Sequence, residues 1–367
     1  MQAKQSQTQF VILGAGYAGL AAALRLAHKT RRLPATITLV NGSATFVERI
    51  RLHQAAADEQ VRQRSIPHLL RSAQVRFVCG WATALSPQAR QVTVQTAQGM
   101  ATLDYDYLLY ALGSTTDKDR VRGVREHALA VGNPADSTAL RRRLRSLAAG
   151  ERVIVAGGGL TGIETAAEIA EQYPALRVQL ITAGRVGDAL SAKGRAHLQS
   201  ALTRLGVGVQ EGTRIDYVTA HAAVAAGGQA IPFDLCVWAG PLQALPLARA
   251  AGLAVNACGQ ILVDATLRSI SAPSIYAAGD AAAFTPEAGV TTRMACATAL
   301  PMGAHAADNL SALPAGAEPQ PFRLGYVAQC ISLGRSDGLI QFVAADDSAQ
   351  ERVVTGRPAA WMKEAIC

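Results

Sequence analysis

The chain is poor in aromatic residues: Phe, Tyr and Trp make up 5% of its 367 positions. Its arginine clusters, at Arg31 and Arg32 and at Arg141, Arg142 and Arg143, have no aromatics interleaved. The stacking platform of a nucleic-acid-binding surface is therefore missing, and no nucleic-acid partner is expected. Short cysteine spacings are missing too. The six cysteines stand at 79, 236, 258, 296, 330 and 367, and no two form a CxxC pair. That spacing excludes a local redox disulfide and a cysteine-rich metal site, so no metal is expected. Reduced thiols fit a cytoplasmic location. No window of 18 apolar residues exists, and the polar residues 1–9 carry no secretory signal. An integral membrane segment is excluded on this reading, leaving peripheral contact as the most a membrane would receive. Charged residues reach only 17% while hydrophobic ones reach 50%, which excludes disorder and predicts compact domains. A length of 367 residues suffices for two or three of them. The net charge of +8 describes a basic solvated surface that attracts phosphate-bearing cofactors or an anionic membrane surface.

Against these absences stand 33 glycines, six of them in two copies of one pattern. Gly14-x-Gly16-x-x-Gly19 follows the apolar run 10–13 and precedes a helical stretch at 18–27. Gly157-x-Gly159-x-x-Gly162 follows 153–156 and precedes 160–171. Each reads as strand, tight turn and helix. Such a turn brings backbone close to a pyrophosphate and aims a helix N-terminus at its charge. Two copies in one chain predict two dinucleotides, a flavin and a nicotinamide.

Strands and helices alternate around both turns. Segments 37–40, 75–78 and 107–111 read as further strands of the first half, with 91–95 as a smaller antiparallel piece. Segments 178–181, 207–210 and 235–238 read as strands of the second half, with a helix at 192–205. A last buried strand at 274–278 ends at Gly279-Asp280, and a helix is expected over 295–310. The stretch 311–321, rich in Pro, Ala and Gly, reads as a linker.

Four segments, 11–23, 107–114, 153–168 and 275–282, resemble the two-dinucleotide-binding-domain flavoproteins of the pyridine nucleotide–disulfide oxidoreductase superfamily. Within it the chain looks most like the type II NADH dehydrogenase-like and ferroptosis-suppressor-like quinone reductases. The resemblance implies an α/β fold of two Rossmann-like domains, the second inserted in the first. The FAD-binding domain is expected over 1–113 and 241–310, the NAD(P)H-binding domain over 114–240. Residues 311–367 form a C-terminal segment that packs near the flavin or makes a homodimer contact.

The resemblance implies that Gly14, Gly16 and Gly19 hold the FAD pyrophosphate, with Gly113 on the strand-to-glycine segment beside it. Gly279-Asp280 looks like the family's GD motif, whose aspartate binds a ribityl hydroxyl; an N-cap is the plain alternative. The strand at 37–40 ends in Asn41, where an acid usually grips the adenosine ribose; Asn41 would bond a hydroxyl without charge, or Glu48 would substitute for the acid. Arg49 or His53 would stabilise negative charge on a reduced flavin. Gly157, Gly159 and Gly162 would cradle NAD(P)H. The next strand ends near Arg185 with no acid, which favours NADPH. Glu164, on the first turn of the following helix, is expected between nicotinamide and flavin. Lys363, beside Trp361, resembles the neighbourhood of the quinone site.

The expected activity is an FAD-dependent NAD(P)H oxidoreductase that passes electrons to a small-molecule acceptor of quinone type. The helix at 294–303 offers small apolar residues for it, although the AQxxxQ pattern of type II NADH dehydrogenases is absent. A tailoring redox enzyme for one metabolite and a redox-sensing flavoprotein with little turnover are the alternatives.

Overall fold

The computed structural model describes residues 7–57, 63–285 and 292–366. The chain divides into two compact units. The first comprises 1–47, 63–115 and 242–324; the second comprises 48–62, 116–241 and 325–367.

The first unit is built on a seven-stranded sheet. Five strands are parallel, in the order Ile275–Ala277, Tyr107–Tyr110, Thr8–Leu13, Ala35–Asn41 and Arg76–Ser86. The last continues into antiparallel strands Gln91–Thr96 and Gly99–Asp104. Phe10, Ile12, Leu13, Leu39, Leu108 and Leu109 are almost fully buried. Parallel strands are covered on both faces, which is why they read as unbroken apolar runs. Each such side chain contributes roughly 1.5–3 kcal/mol by leaving water. Helix Tyr17–Lys29 packs on helix Cys296–Ala312. A Cβ at Gly303 would overlap the Ala18 carbonyl, so only glycine permits that approach.

The second unit has a five-stranded parallel sheet in the order Leu129–Ala130, Leu235–Trp238, Arg152–Ala156, Arg177–Ile181 and Gly208–Gln210. An antiparallel sheet of Ile215–Val218, Ala222–Ala225 and Ala230–Pro232 follows. A second one, Ala328–Ser332, Gly338–Val343 and Ala349–Thr355, leads into helix Gly356–Ile366.

The expected α/β architecture with two parallel sheets, each carrying one glycine-rich turn, is borne out. Residues 311–321, read as a linker, are instead held against the first unit. The long helix runs to Ala312 and a 3-10 turn covers Leu313–Ala315. The buried Asn309 side chain then exchanges hydrogen bonds with the backbone of Gln320, accepting at 2.8 Å and donating at 3.0 Å. The sequence reading passed over helix Pro134–Arg145, although its start was marked. Asn133 caps it by accepting from the Asp136 N–H at 2.9 Å, and Pro134 opens the first turn.

Candidate functional site

In the first unit, strand Thr8–Leu13 ends at Gly14, whose φ of +94° belongs to glycine. A Cβ at Gly14 would overlap the Ala111 carbonyl, and one at Gly19 the Gly14 carbonyl. A Cβ at Gly16 would meet nothing within 4 Å. The outer two glycines thus close the turn, while the middle one keeps its open face clear. Gly16 is the N-cap of helix Tyr17–Lys29 and offers no side-chain cap, and the first turn carries no acid. The N–H groups there are oriented for an anion. A dinucleotide pyrophosphate fits this cradle.

Asn41, at the end of Ala35–Asn41, is turned to holding that loop. Its Oδ1 accepts from the Ala15 N–H at 2.9 Å, and its Nδ2 donates to the Ser43 carbonyl at 2.8 Å. Asp280 sits in a 3-10 turn, Gly279–Ala281, entered through Gly279 at φ +69°. The strand Ala282–Ala283 follows, so no helix starts at Ala281 for Asp280 to cap. Asp280 Oδ2 accepts from the Ser114 hydroxyl at 2.6 Å, next to Gly113 at φ +72°. The buried Gln260 amide donates to the carbonyls of Asp280 and Ala282 at 3.0 and 3.1 Å. Neither Ser114 nor Gln260 as a support of Asp280 was foreseeable, since 166 and 20 residues separate the partners.

In the second unit the turn repeats. Gly157 has φ +130°, and a Cβ on it would overlap the Ala239 carbonyl. A Cβ at Gly162 would overlap the Gly157 carbonyl, while Gly159 is open. Gly159 caps helix Leu160–Gln172 without a side chain. This turn too fits a pyrophosphate. Beyond strand Arg177–Ile181, Arg185 is exposed. Glu211, which sequence reading missed, lies beside it through the fold: its Oε1 accepts from the Val186 N–H at 2.8 Å.

The second unit also gathers Glu164, His53 and Lys363. Glu164 Oε1 accepts from the Lys363 ammonium and from the Ser332 N–H at 3.0 Å. Lys363 also donates to the Ser332 hydroxyl at 2.8 Å. His53 Nδ1 stands 3.7 Å from Glu164 Oε2, and its buried Nε2 has no hydrogen-bond partner among the described residues. Burial works to raise the Glu164 carboxyl, but Lys363 foremost, then His53 and the Ser332 N–H, hold it below the ordinary carboxylate value. Burial pushes His53 down to about 4, outweighing Glu164. At neutral pH His53 is therefore an uncharged imidazole beside an ionised Glu164–Lys363 pair. Arg49 is half-buried in the 3-10 turn Arg49–Arg51, and Glu48 pairs with Arg51 at 2.9 Å. Arg51 and Arg335 both reach Glu364, at 2.5 and 3.0 Å, tying this segment to the C-terminal helix.

Among the described residues no helix is long and apolar enough to cross a membrane. Cys79, Cys236 and Cys258 are free thiols, and burial raises the Cys236 thiol to about 12.

The sequence profile described as pyridine nucleotide-disulphide oxidoreductase matches residues 8–307. An NADH dehydrogenase-like protein of Mycobacterium tuberculosis (strain CDC 1551 / Oshkosh) is 31% identical over 322 aligned positions, covering 83% of this chain and 80% of the relative. Demethylphylloquinone reductase NdbB of Synechocystis sp. (strain ATCC 27184 / PCC 6803 / Kazusa) is 26% identical, covering 91% and 86%. The structure of NDH2 from Plasmodium falciparum in complex with NADH superimposes with a TM-score of 0.82 at 15% identity, covering 98% of this chain and 94% of that one, which shows a shared fold. With two closed glycine turns on two parallel sheets and a profile match over most of its length, the chain belongs to the pyridine nucleotide-disulphide oxidoreductase family.

Proposed function

We propose that the protein is an FAD-dependent NAD(P)H oxidoreductase whose second substrate is a quinone. The observation that carries this reading is the pair of glycine turns, each with an open middle glycine and an uncapped helix start. Gly14, Gly16, Gly19, Gly113 and Asp280 would hold FAD; Gly157, Gly159 and Gly162 would hold the nicotinamide nucleotide. FAD, when bound, supplies the chemistry of taking two electrons from the nicotinamide and yielding them to the acceptor. The quinone rests on the demethylphylloquinone reductase relative and on the small, apolar opening of helix Cys296–Ala312.

The chain's own contribution is orientation and charge. Asp280, steadied by Ser114 and Gln260, presents a carboxylate for a sugar hydroxyl, a charge-assisted bond. Glu164 is kept ionised by Lys363, which lowers its affinity for a proton, so at neutral pH it contributes a fixed negative charge. His53, uncharged, serves as a neutral neighbour of Glu164 and not as a cation.

Anaerobic mixing of FAD-loaded protein with NADH or NADPH tests the reading. Bleaching of the visible flavin band, followed by recovery on adding a simple quinone, is expected. Glu164→Gln keeps the side-chain shape but removes the charge; bleaching or recovery should slow by about 100-fold with FAD still bound, the size usual for a lost preorganised charge at a reacting site. No bleaching with either nucleotide would displace the enzyme reading in favour of a sensor.

The nucleotide preference is proposed for NADPH, supported by exposed Arg185 and by the engagement of Glu211 with Val186. Arg185→Ala should raise KM for NADPH by about 10-fold, a lost phosphate contact, and leave NADH nearly unchanged. Equal effects on both nucleotides, or a far higher wild-type kcat/KM with NADH, would refute it.

A further inference from the structure

Trp81 is 67% exposed in a chain with few aromatics. It lies on strand Arg76–Ser86, just past Cys79, which pairs in register with Asn41 of the neighbouring strand. Its indole covers Gly42. A Cβ built on Gly42 would stand 2.5, 2.6 and 2.7 Å from Cε2, Cζ2 and Cδ2 of that ring. Three bonded ring atoms at nearly equal distance place the point over the ring face, not at its edge. The indole therefore occupies the space that a side chain at 42 would fill. No positive φ requires glycine at 42; the ring does.

This surface is joined to the first glycine turn by a short chain of bonds. Asn41 holds the Ala15 N–H inside the turn, and Gly42 is the next residue. In a dinucleotide-binding unit the residue ending the second strand stands at the adenosine ribose. A base carried on that ribose would reach past Asn41 toward Gly42 and the ring that lies on it. Tryptophan offers a base a large flat apolar face, and 67% of this one is open to solvent.

We propose that Trp81 is a binding residue for the adenine ring of FAD, stacking on it with the exposed part of the indole that Gly42 seats. This rests on the assignment of FAD to the first turn. The adenine half is read by an aromatic face, while Asn41 serves the loop instead of providing a charged ribose grip. Trp81 thus offsets the missing acid.

The test compares FAD with FMN, which carries the flavin and one phosphate but no adenine. Both are titrated into full-length protein stripped of flavin, with binding followed by flavin fluorescence. Trp81→Ala should weaken FAD binding by about 10-fold or more, the size of a lost base–aromatic stack, with FMN affinity unchanged. Trp81→Phe should retain most of the FAD affinity. Gly42→Ala, which pushes the indole from its seat, should weaken FAD again and leave FMN alone. Unchanged FAD affinity in Trp81→Ala overturns the proposal. So does an equal loss for FAD and FMN, which would mean that the ring only supports the loop. Wild-type protein that takes up no FAD would remove the functional reading as well.

Discussion

Lys363→Ala should destabilise the protein by about 3–5 kcal/mol, the cost of leaving one member of a buried ion pair behind. Glu164 would remain with its carboxylate in a nearly dry setting, retaining among the described residues the Ser332 N–H at 3.0 Å and the uncharged His53 ring at 3.7 Å. The Lys363 side chain is 7% exposed and that of Glu164 11%, so water does not replace the lost ammonium easily. Lys363→Met combined with Glu164→Gln should be far milder, since neither charge is then buried alone. Thermal or urea unfolding of the full chain reads both. A single variant as stable as wild type, or a double variant no better than the single, contradicts this account.

The same cluster sets a pH dependence. His53 is lowered from 6.5 to about 4. Between those values the unfolded chain binds a proton that the folded chain refuses, so stability falls as pH drops through that window. At about 1.36 kcal/mol per unit the shift amounts to roughly 3 kcal/mol. Glu164 acts in the same direction at lower pH: its depressed value contributes stability above the unfolded carboxylate range that is lost on acidification. In His53→Gln the decline between pH 6.5 and 4 should flatten. An identical decline would place its origin elsewhere.

The glycine turns give the second large effect, because the three glycines of each do different work. Gly162→Ala and Gly19→Ala would drive a methyl into the carbonyl of Gly157 or Gly14, so the turn itself must open. Both should lower the unfolding midpoint of the cofactor-free protein and weaken their own nucleotide by at least about 100-fold, near 3 kcal/mol. Gly159→Ala and Gly16→Ala meet no protein atom within 4 Å. They should leave the cofactor-free protein as stable as before and still lose nucleotide affinity, since the methyl would stand where the pyrophosphate is proposed to approach. Stability and binding are thus separated by position within one motif. A Gly159→Ala protein that binds nicotinamide nucleotide like the wild type would contradict the assignment of that turn.

The local grammar of this chain carries its fold. Apolar runs such as 10–13 and 153–156, each followed by glycine at fixed spacing and a helical repeat, specify strand, turn and helix through interactions within about 20 residues. The glycines could be assigned because φ > 0 and close approach are demands on a single residue type. Helix Pro134–Arg145 obeys the same grammar through Asn133 and Pro134. The antiparallel strands after 325 were less legible, because short half-buried strands gain their preference from neighbours distant in sequence.

The site residues divide along that line. Gly14 and Gly157 announce themselves in the sequence through their spacing, and their positive φ is a local demand, although the carbonyls that exclude a Cβ there, of Ala111 and Ala239, come from distant strands. Glu164 was visible as a charge near a helix start, although helix Leu160–Gln172 carries no acid in its first turn and Glu164 falls in the second; His53 was visible within the stretch 46–54 and Lys363 beside Trp361. That these three meet was decided by tertiary structure alone, because 199 residues separate Lys363 from Glu164. The same holds for the state of His53: its lowered pKa comes from burial, which belongs to the folded environment and not to the residue. Trp81 over Gly42 and Ser114 beneath Asp280 are further meetings of this kind. The sequence by itself determined the two glycine turns and the sheets that carry them. Which side chains lose water together, and so which charges persist, only the packed chain could decide.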